Sequence, residues 1–147
     1  MKRERPRDEL GRPQPWDAPN RLELEDFDNL SVEQNHRLGV RHFNAGRYFP
    51  AHEAWETAWK QSRKTDDAEF FKGLSQLGAG YVHLLRGNRH GAFTLLRRAA
   101  GRIGRYPAGH RGIDTRRVAT RTSTDADAVE RGELEPGENA LPDPPTL

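Results

Sequence analysis

Residues 48–60, YFPAHEAWETAWK, set His52, Glu53 and Glu56 within one helical turn of each other. One imidazole and two carboxylates at this spacing have three uses. They can ligate a divalent cation, work as a base beside an acid, or form a satisfied hydrogen-bond network that fixes helix register. A downstream run, DAEFFKGLSQLGAGYVHLLR, adds Gln76 and His83, seven residues apart, on the same helical side as the glycines Gly73, Gly80 and Gly87. Glycine inside a helix costs about 1 kcal/mol relative to alanine, so Gly73, Gly78 and Gly80 imply a close neighbour.

A short turn at Lys64 and Thr65 makes the two segments antiparallel and brings residues near 52 opposite residues near 79. Trp55 and Trp59 form an adjoining apolar stripe that sets the rotation of the first segment. The expected site is therefore an interhelical cleft of His52, Glu56, Gln76 and His83, with Glu53 at its margin. Within it, His52, Glu56 and His83 suit zinc, iron or manganese, two imidazoles and a carboxylate leaving a coordination position open. The order is neither the H-E-x-x-H of zincins nor the E-x-x-H of di-iron bundles. For a small-molecule pocket, Glu53 or Glu56 serves as general base and His83 as its acid partner.

The elements that must position these groups are legible from caps and stops. Ser31 with Gln34 reads as a capping box that opens a first helix, ended near Asn44 or Ala45 by Gly46. The second helix carries Pro50 in its first turn, where proline is tolerated. Asp66 with Glu69 reads as another capping box, opening a third helix that ends at Gly87. Asn88 then caps a fourth, RHGAFTLLRRAAGRIGRY, closed by Pro107. In that fourth helix Ala92, Phe93, Leu96, Ala99, Ala100 and Ile103 recur at three and four, leaving Arg97, Arg98, Arg102 and Arg105 outside. A fifth helix from about Asp114 is opposed by its threonines and has only Ile113, Val118 and Val129 to anchor it.

FNAGRYFPAHEAWETA and LLRGNRHGAFTLLRRA align at an offset of 41 residues, pairing Gly46 with Gly87 and Trp55 with Leu96. The expectation is an all-α, single-domain bundle of four to five helices, made of two stacked αα-hairpins like those of tetratricopeptide repeats. Residues 1–29, with four prolines and no sustained period, read as an extended or disordered lead that docks through Trp16 or Phe27. Residues 30–107 form the core, 108–131 a weak final helix or loop, and 132–147 a disordered, acidic, proline-rich tail.

Bulk composition narrows the function classes. The chain has 147 residues, 33% of them hydrophobic, a net charge of +2 and no cysteine, which excludes disulfides and thiolate metal sites. Without an apolar run near the ~18 residues of a membrane span, or a signal-like start, the expected location is cytoplasmic. Between Asn88 and Arg121, nine arginines face the single acid Asp114. Arg97, Arg98, Arg102, Arg105, Arg116 and Arg117 form a candidate phosphate-binding strip, but no aromatics interleave them, so nucleic acid is not the expected partner. A second copy of the chain or another protein, held in an interhelical groove, is the rival use. Phosphate-cradle and nucleophile-elbow motifs are absent. His36, His42, His90 and His110 read as solvated or capping residues, and Tyr48 and Tyr81 as core.

The segments FNAGRYFPAHEAWETAWK and FFKGLSQLGAGYVHLLRGNRHGAFTLLRRA resemble the domain of unknown function 309 family, over roughly residues 37–106. The order of F-N-x-G-x-Y-F-x-x-H-E, G-L-x-Q and R-G-N-x-x-G-A-x-x-L-L is specific to it. The resemblance implies a bundle of about five helices and a shared set of positions, here His52, Glu53, Glu56, Trp59, Gln76, His83, Gly87 and Asn88. It implies no activity. The chain departs from the family in its last helix, where Thr120, Thr122 and Thr124 replace leucines.

Overall fold

Three helices in this chain start at side chains that take up the first free N–H groups. Ser31 Oγ accepts from Gln34 N at 3.1 Å while Gln34 Oε1 accepts from Ser31 N at 2.9 Å. Asn88 Oδ1 takes Gly91 N at 3.1 Å, and Asp114 Oδ1 takes Arg117 N at 3.2 Å. In the computed structural model, which describes residues 4–147, the resulting elements are α1 (Val32–Asn44), α2 (Tyr48–Gln61), α3 (Ala68–Leu85), α4 (Arg89–Ile103) and α5 (Thr115–Glu130). Short 3-10 turns occur at Phe27–Asn29 and His110–Gly112, and the described residues contain no β-strand. Each helix packs on the next in chain order, giving an all-α bundle. No helix among the described residues is long and apolar enough to cross a membrane.

The expected capping box of Asp66 and Glu69 does not form. Asp67 is the N-cap of α3 and makes no side-chain cap. Its carboxylate instead meets His110 Nε2 at 2.7 Å and Arg111 Nε at 2.7 Å, while Glu69 accepts from Arg102 Nε at 2.9 Å. Guanidinium groups make stronger hydrogen bonds than a backbone N–H, so Arg102 wins the Glu69 carboxylate and Arg111 that of Asp67.

Trp55, fully buried, sits at the centre of a core that includes Phe43, Phe71, Leu74, Leu77, Tyr81, Leu96 and Ile103. Its ring lies against Gly39 of α1, where an added Cβ would stand 2.4 Å from it. Trp55 Nε1 donates to His36 Nδ1 at 3.1 Å, so His36 must carry its proton on Nε2, which donates to the Arg111 carbonyl at 3.0 Å. His36 and His42, expected to be solvated or capping, are thus buried and hydrogen-bonded, with exposures of 3% and 7%. His42 Nδ1 accepts from Arg47 Nε at 2.9 Å and its Nε2 faces Glu25 Oε1 at 2.9 Å.

The fifth helix forms over sixteen residues despite its threonines. Thr122 turns its hydroxyl back to the Val118 carbonyl at 2.7 Å and Thr115 reaches the Tyr106 carbonyl at 3.0 Å. Both are thereby buried without an unpaired hydroxyl, alongside Val118, Ala126 and Val129. Arg97 of α4 fastens the outer side, 2.6 Å from Glu130 and 3.3 Å from Asp127.

Outside the helices, Phe27 docks in the core while Trp16 stays 47% exposed. Gly11 lies on the Phe49 ring and Arg86 donates to the Leu10 carbonyl, which ties the lead to α2 and α3. Residues 132–147, whose composition argues for disorder, take no regular structure beyond turns and bends and run along the bundle.

Candidate functional site

Close approach of α2 and α3 builds the site, and one glycine permits it. A Cβ on Gly78 would lie 3.0 Å from His52 N and 3.1 Å from its Cα and Cβ. Gly73 and Gly80, expected to line the same seam, face α4: their added Cβ atoms would meet Arg102 Cβ at 2.9 Å and Leu96 Cδ2 at 2.7 Å. The seven-residue spacing correctly marks one face, but that face belongs to α4, because the aromatic bulk of α2 rotates the 78 position toward His52. Gly46 and Gly87 have φ of +76° and +87° and end their helices in the left-handed conformation that glycine adopts most readily.

Seated on Gly78, the His52 ring reaches Ser75 one turn back along α3. Its Nδ1 is 2.9 Å from the Ser75 carbonyl oxygen and 2.9 Å from Ser75 Oγ. A carbonyl only accepts, so Nδ1 carries the proton, and the Ser75 hydroxyl donates to the His52 carbonyl at 3.3 Å. Nε2 is then turned toward the carboxylates, with Glu56 Oε2 at 3.3 Å and Glu53 Oε1 at 3.9 Å. Ligand atoms of His52, Glu53 and Glu56 all fall within 4.8 Å of one another, and each side chain is half-buried. Lys60 Nζ stands 3.7 Å from Glu56 Oε1.

Burial pushes the His52 imidazole down, but Glu56, the Ser75 carbonyl and Glu53 together lift it above its ordinary value. The hydrogen bond from His52, helped by Lys60, holds the Glu56 carboxyl below the usual range. Two carboxylate oxygens facing one ring nitrogen favour positive charge there, either the proton of an imidazolium or a metal ion accepted by the neutral Nε2 lone pair.

Gln76 and His83 hydrogen-bond to other partners. Gln76 Oε1 accepts from Arg102 Nη1 at 3.2 Å, on the α4 side. His83 Nδ1 is 3.0 Å from Asn88 Nδ2, and since Asn88 Oδ1 is occupied as the helix cap, the amide nitrogen donates and Nδ1 accepts. Gly91 lies against the same ring. Burial, Arg86 and His52 lower the His83 value. In the set His52, Glu56 and His83 expected for a metal, the structure thus brings Glu53 near His52 and Glu56 and turns His83 toward the start of α4. Trp59, beside the cluster, carries Arg63 at 5.0 Å and Lys72 at 5.5 Å over its ring.

A second polar group, which sequence reasoning did not find, joins α3 to α5. Tyr81 Oη donates to Asp125 Oδ2 at 2.6 Å and Arg121 Nε donates to the same oxygen at 2.9 Å. Tyr48, 5.3 Å from Tyr81 between ring centroids, buries its hydroxyl beside them without a partner, and burial pushes it up to about 12. The i, i+4 spacing of Arg121 and Asp125 was the available signal, but nothing local said that it faces inward.

Half of the arginine strip is committed to protein acceptors: Arg97 to Glu130, Arg102 to Glu69 and Gln76, and Arg117 to Asp114 and the Thr146 carbonyl. An open cleft of about 1080 Å³ lies between the lead and the α1–α2 corner, lined by Leu10, Arg12, Leu22, Glu25, His42 and Arg47, apart from His52.

Residues 36–95 match the family model described as a domain of unknown function, DUF309. That span runs from within α1 to the middle of α4 and includes His52, Glu53, Glu56, Ser75, Gly78 and His83. No curated protein and no solved structure matches the chain.

Proposed function

We propose that this chain, which carries a DUF309 domain over residues 36–95, binds a divalent transition metal through His52 Nε2, Glu53 and Glu56. The reading rests chiefly on one observation. The Ser75 carbonyl accepts from His52 Nδ1 at 2.9 Å, so Nε2, which faces two carboxylates, is the nitrogen that can give up its proton to a metal ion. A backbone carbonyl that holds Nδ1–H and turns Nε2 to the ligand position is the usual outer support of a ligating histidine. One imidazole and two carboxylates, with no thiolate, suit zinc, iron(II) or manganese(II). Three ligands from a single turn, half-open to solvent, leave positions for water or a substrate oxygen.

Titration of the purified, chelator-treated protein with Zn²⁺, Mn²⁺ and Fe²⁺, followed calorimetrically at pH 7.5, tests this. One equivalent should bind, with a proton released as pH is lowered toward the His52 transition, and Glu53→Gln and Glu56→Gln should each weaken binding by about 10-fold or more. Heatless titrations with all three metals would reduce the cluster to an imidazolium–carboxylate pair that sets the register of α2 on α3.

A further inference from the structure

We infer that the surface between α1 and α5 is a receptor for extended, proline-rich main chain, and that residues 140–147 are its built-in, displaceable occupant. The segment ALPDPPTL meets the bundle in two ways. Ala140 and Pro145 are buried and Leu141 and Leu147 pack on the core, while Pro142, Asp143, Pro144 and Thr146 face solvent. Its main chain is read directly. Arg121 Nη2 donates to the Asp143 carbonyl at 2.7 Å, Arg117 Nη1 to the Thr146 carbonyl at 3.1 Å, and Asn44 Oδ1 accepts from Leu147 N at 2.8 Å. Leu147 lines a small hollow with Val40 and Arg37 of α1 and Arg111 and Ile113.

Each contact names a requirement on the ligand. Carbonyls gripped by guanidinium groups need an extended backbone but no particular side chains, so the four inward positions supply the selectivity. Prolines suit such a backbone because they are pre-extended and bring no N–H that burial would leave unpaired. Charge plays a lesser part: Asp143, the one acid of the segment, lies near Arg121, whereas the tail's other carboxylates pair elsewhere, Glu133 with Arg131, Glu135 with Arg89 and Glu138 with Arg12. The buried Tyr81–Asp125 pair gains a purpose here. By holding Arg121 Nε at 2.9 Å it aims the rest of the guanidinium outward at the carbonyl that arrives.

A partner segment of this chemistry competes with a tethered copy at an effective concentration near the millimolar range, so the intact chain masks its own receptor. The test uses a fluorescein-labelled ALPDPPTL peptide against the full chain and its Leu141→Ser/Leu147→Ser variant, with circular dichroism confirming helix content. The variant should bind the peptide with a Kd at least about 10-fold lower than the unaltered chain shows, and Arg117→Ala added to it should weaken that binding. A complementary readout places a single dye on Thr146→Cys, the chain having no native cysteine; excess unlabelled peptide should lower its anisotropy. Equal peptide affinity for both chains, or no binding to a folded variant together with unchanged anisotropy, overturns the inference.

Discussion

Gly78 and His52 touch through their backbones: the space where a Cβ at 78 would stand is bounded by His52 N at 3.0 Å and Cα at 3.1 Å. That contact sets the depth at which α2 lies on α3, and thereby the reach of the imidazole to Ser75.

Gly78→Ala should therefore destabilise the protein by about 1 kcal/mol, overpacking against helix backbone outweighing the gain in helix propensity. Gly101→Ala, where an added Cβ meets nothing within 4 Å, should stabilise it by up to about 1 kcal/mol. Urea unfolding of the two variants, followed by tryptophan emission, checks the difference. Equal gains would show that the seam is loose.

The His52–Glu56 pair makes a pH-dependent contribution in the metal-free protein. His52 is raised on folding, so its share is complete below the unfolded value near 6.5 and is lost as pH climbs through the folded value. Glu56 is lowered, so its share is present above about 4.5 and disappears as pH falls through the folded value. Glu56→Gln should cost most between about pH 5 and pH 7, and NMR titration of the His52 ring should show its midpoint falling in the variant. An unmoved midpoint would contradict the pairing.

His36 works in the opposite sense. Burial holds its imidazole below the ordinary value, and protonation would set an N–H against the Trp55 N–H it now accepts. The unfolded chain takes up this proton first, so stability should decline as pH drops from about 6.5 toward the folded value. His36→Asn should lose about 1–3 kcal/mol at pH 7 and show a shallower acid decline than the parent, measured as unfolding midpoints at pH 7 and pH 5.

Docking of α5 depends on Asp125. Tyr81→Phe removes the 2.6 Å hydrogen bond to its carboxylate and should cost about 1.5–3 kcal/mol. Asp125→Ala strips the partner from Arg121 and should cost about 3 kcal/mol or more. In hydrogen exchange, amides of α5 should lose protection before those of α3 in both variants. Uniform loss across the bundle would mean that α5 is not a separate unit.

Local rules that act within a turn or two were legible directly. Ser31 with Gln34, Asn88 and Gly46 mark helix ends by chemistry that needs no distant partner, and the three-four spacing of Leu96, Ala99 and Ile103 names the inner face of α4. His52, Glu53 and Glu56 share a turn of one helix for the same reason. Asp66 and Glu69 misled because α3 takes the next residue, Asp67, as its N-cap and because Arg102 of α4 takes the Glu69 carboxylate.

What the amino-acid sequence determined alone was therefore the helices, most of their ends, the all-α class and the close spacing of three ionisable groups. Tertiary structure decided which face of α3 each glycine presents, that His83 turns to Asn88 and Gln76 to Arg102, and that a threonine-rich fifth helix packs on the bundle with a buried aspartate bonded to Tyr81. Rotation of a helix about its axis is set by the sum of all its packing contacts, and a turn of about 100° moves a residue from one neighbour to another without altering any periodicity.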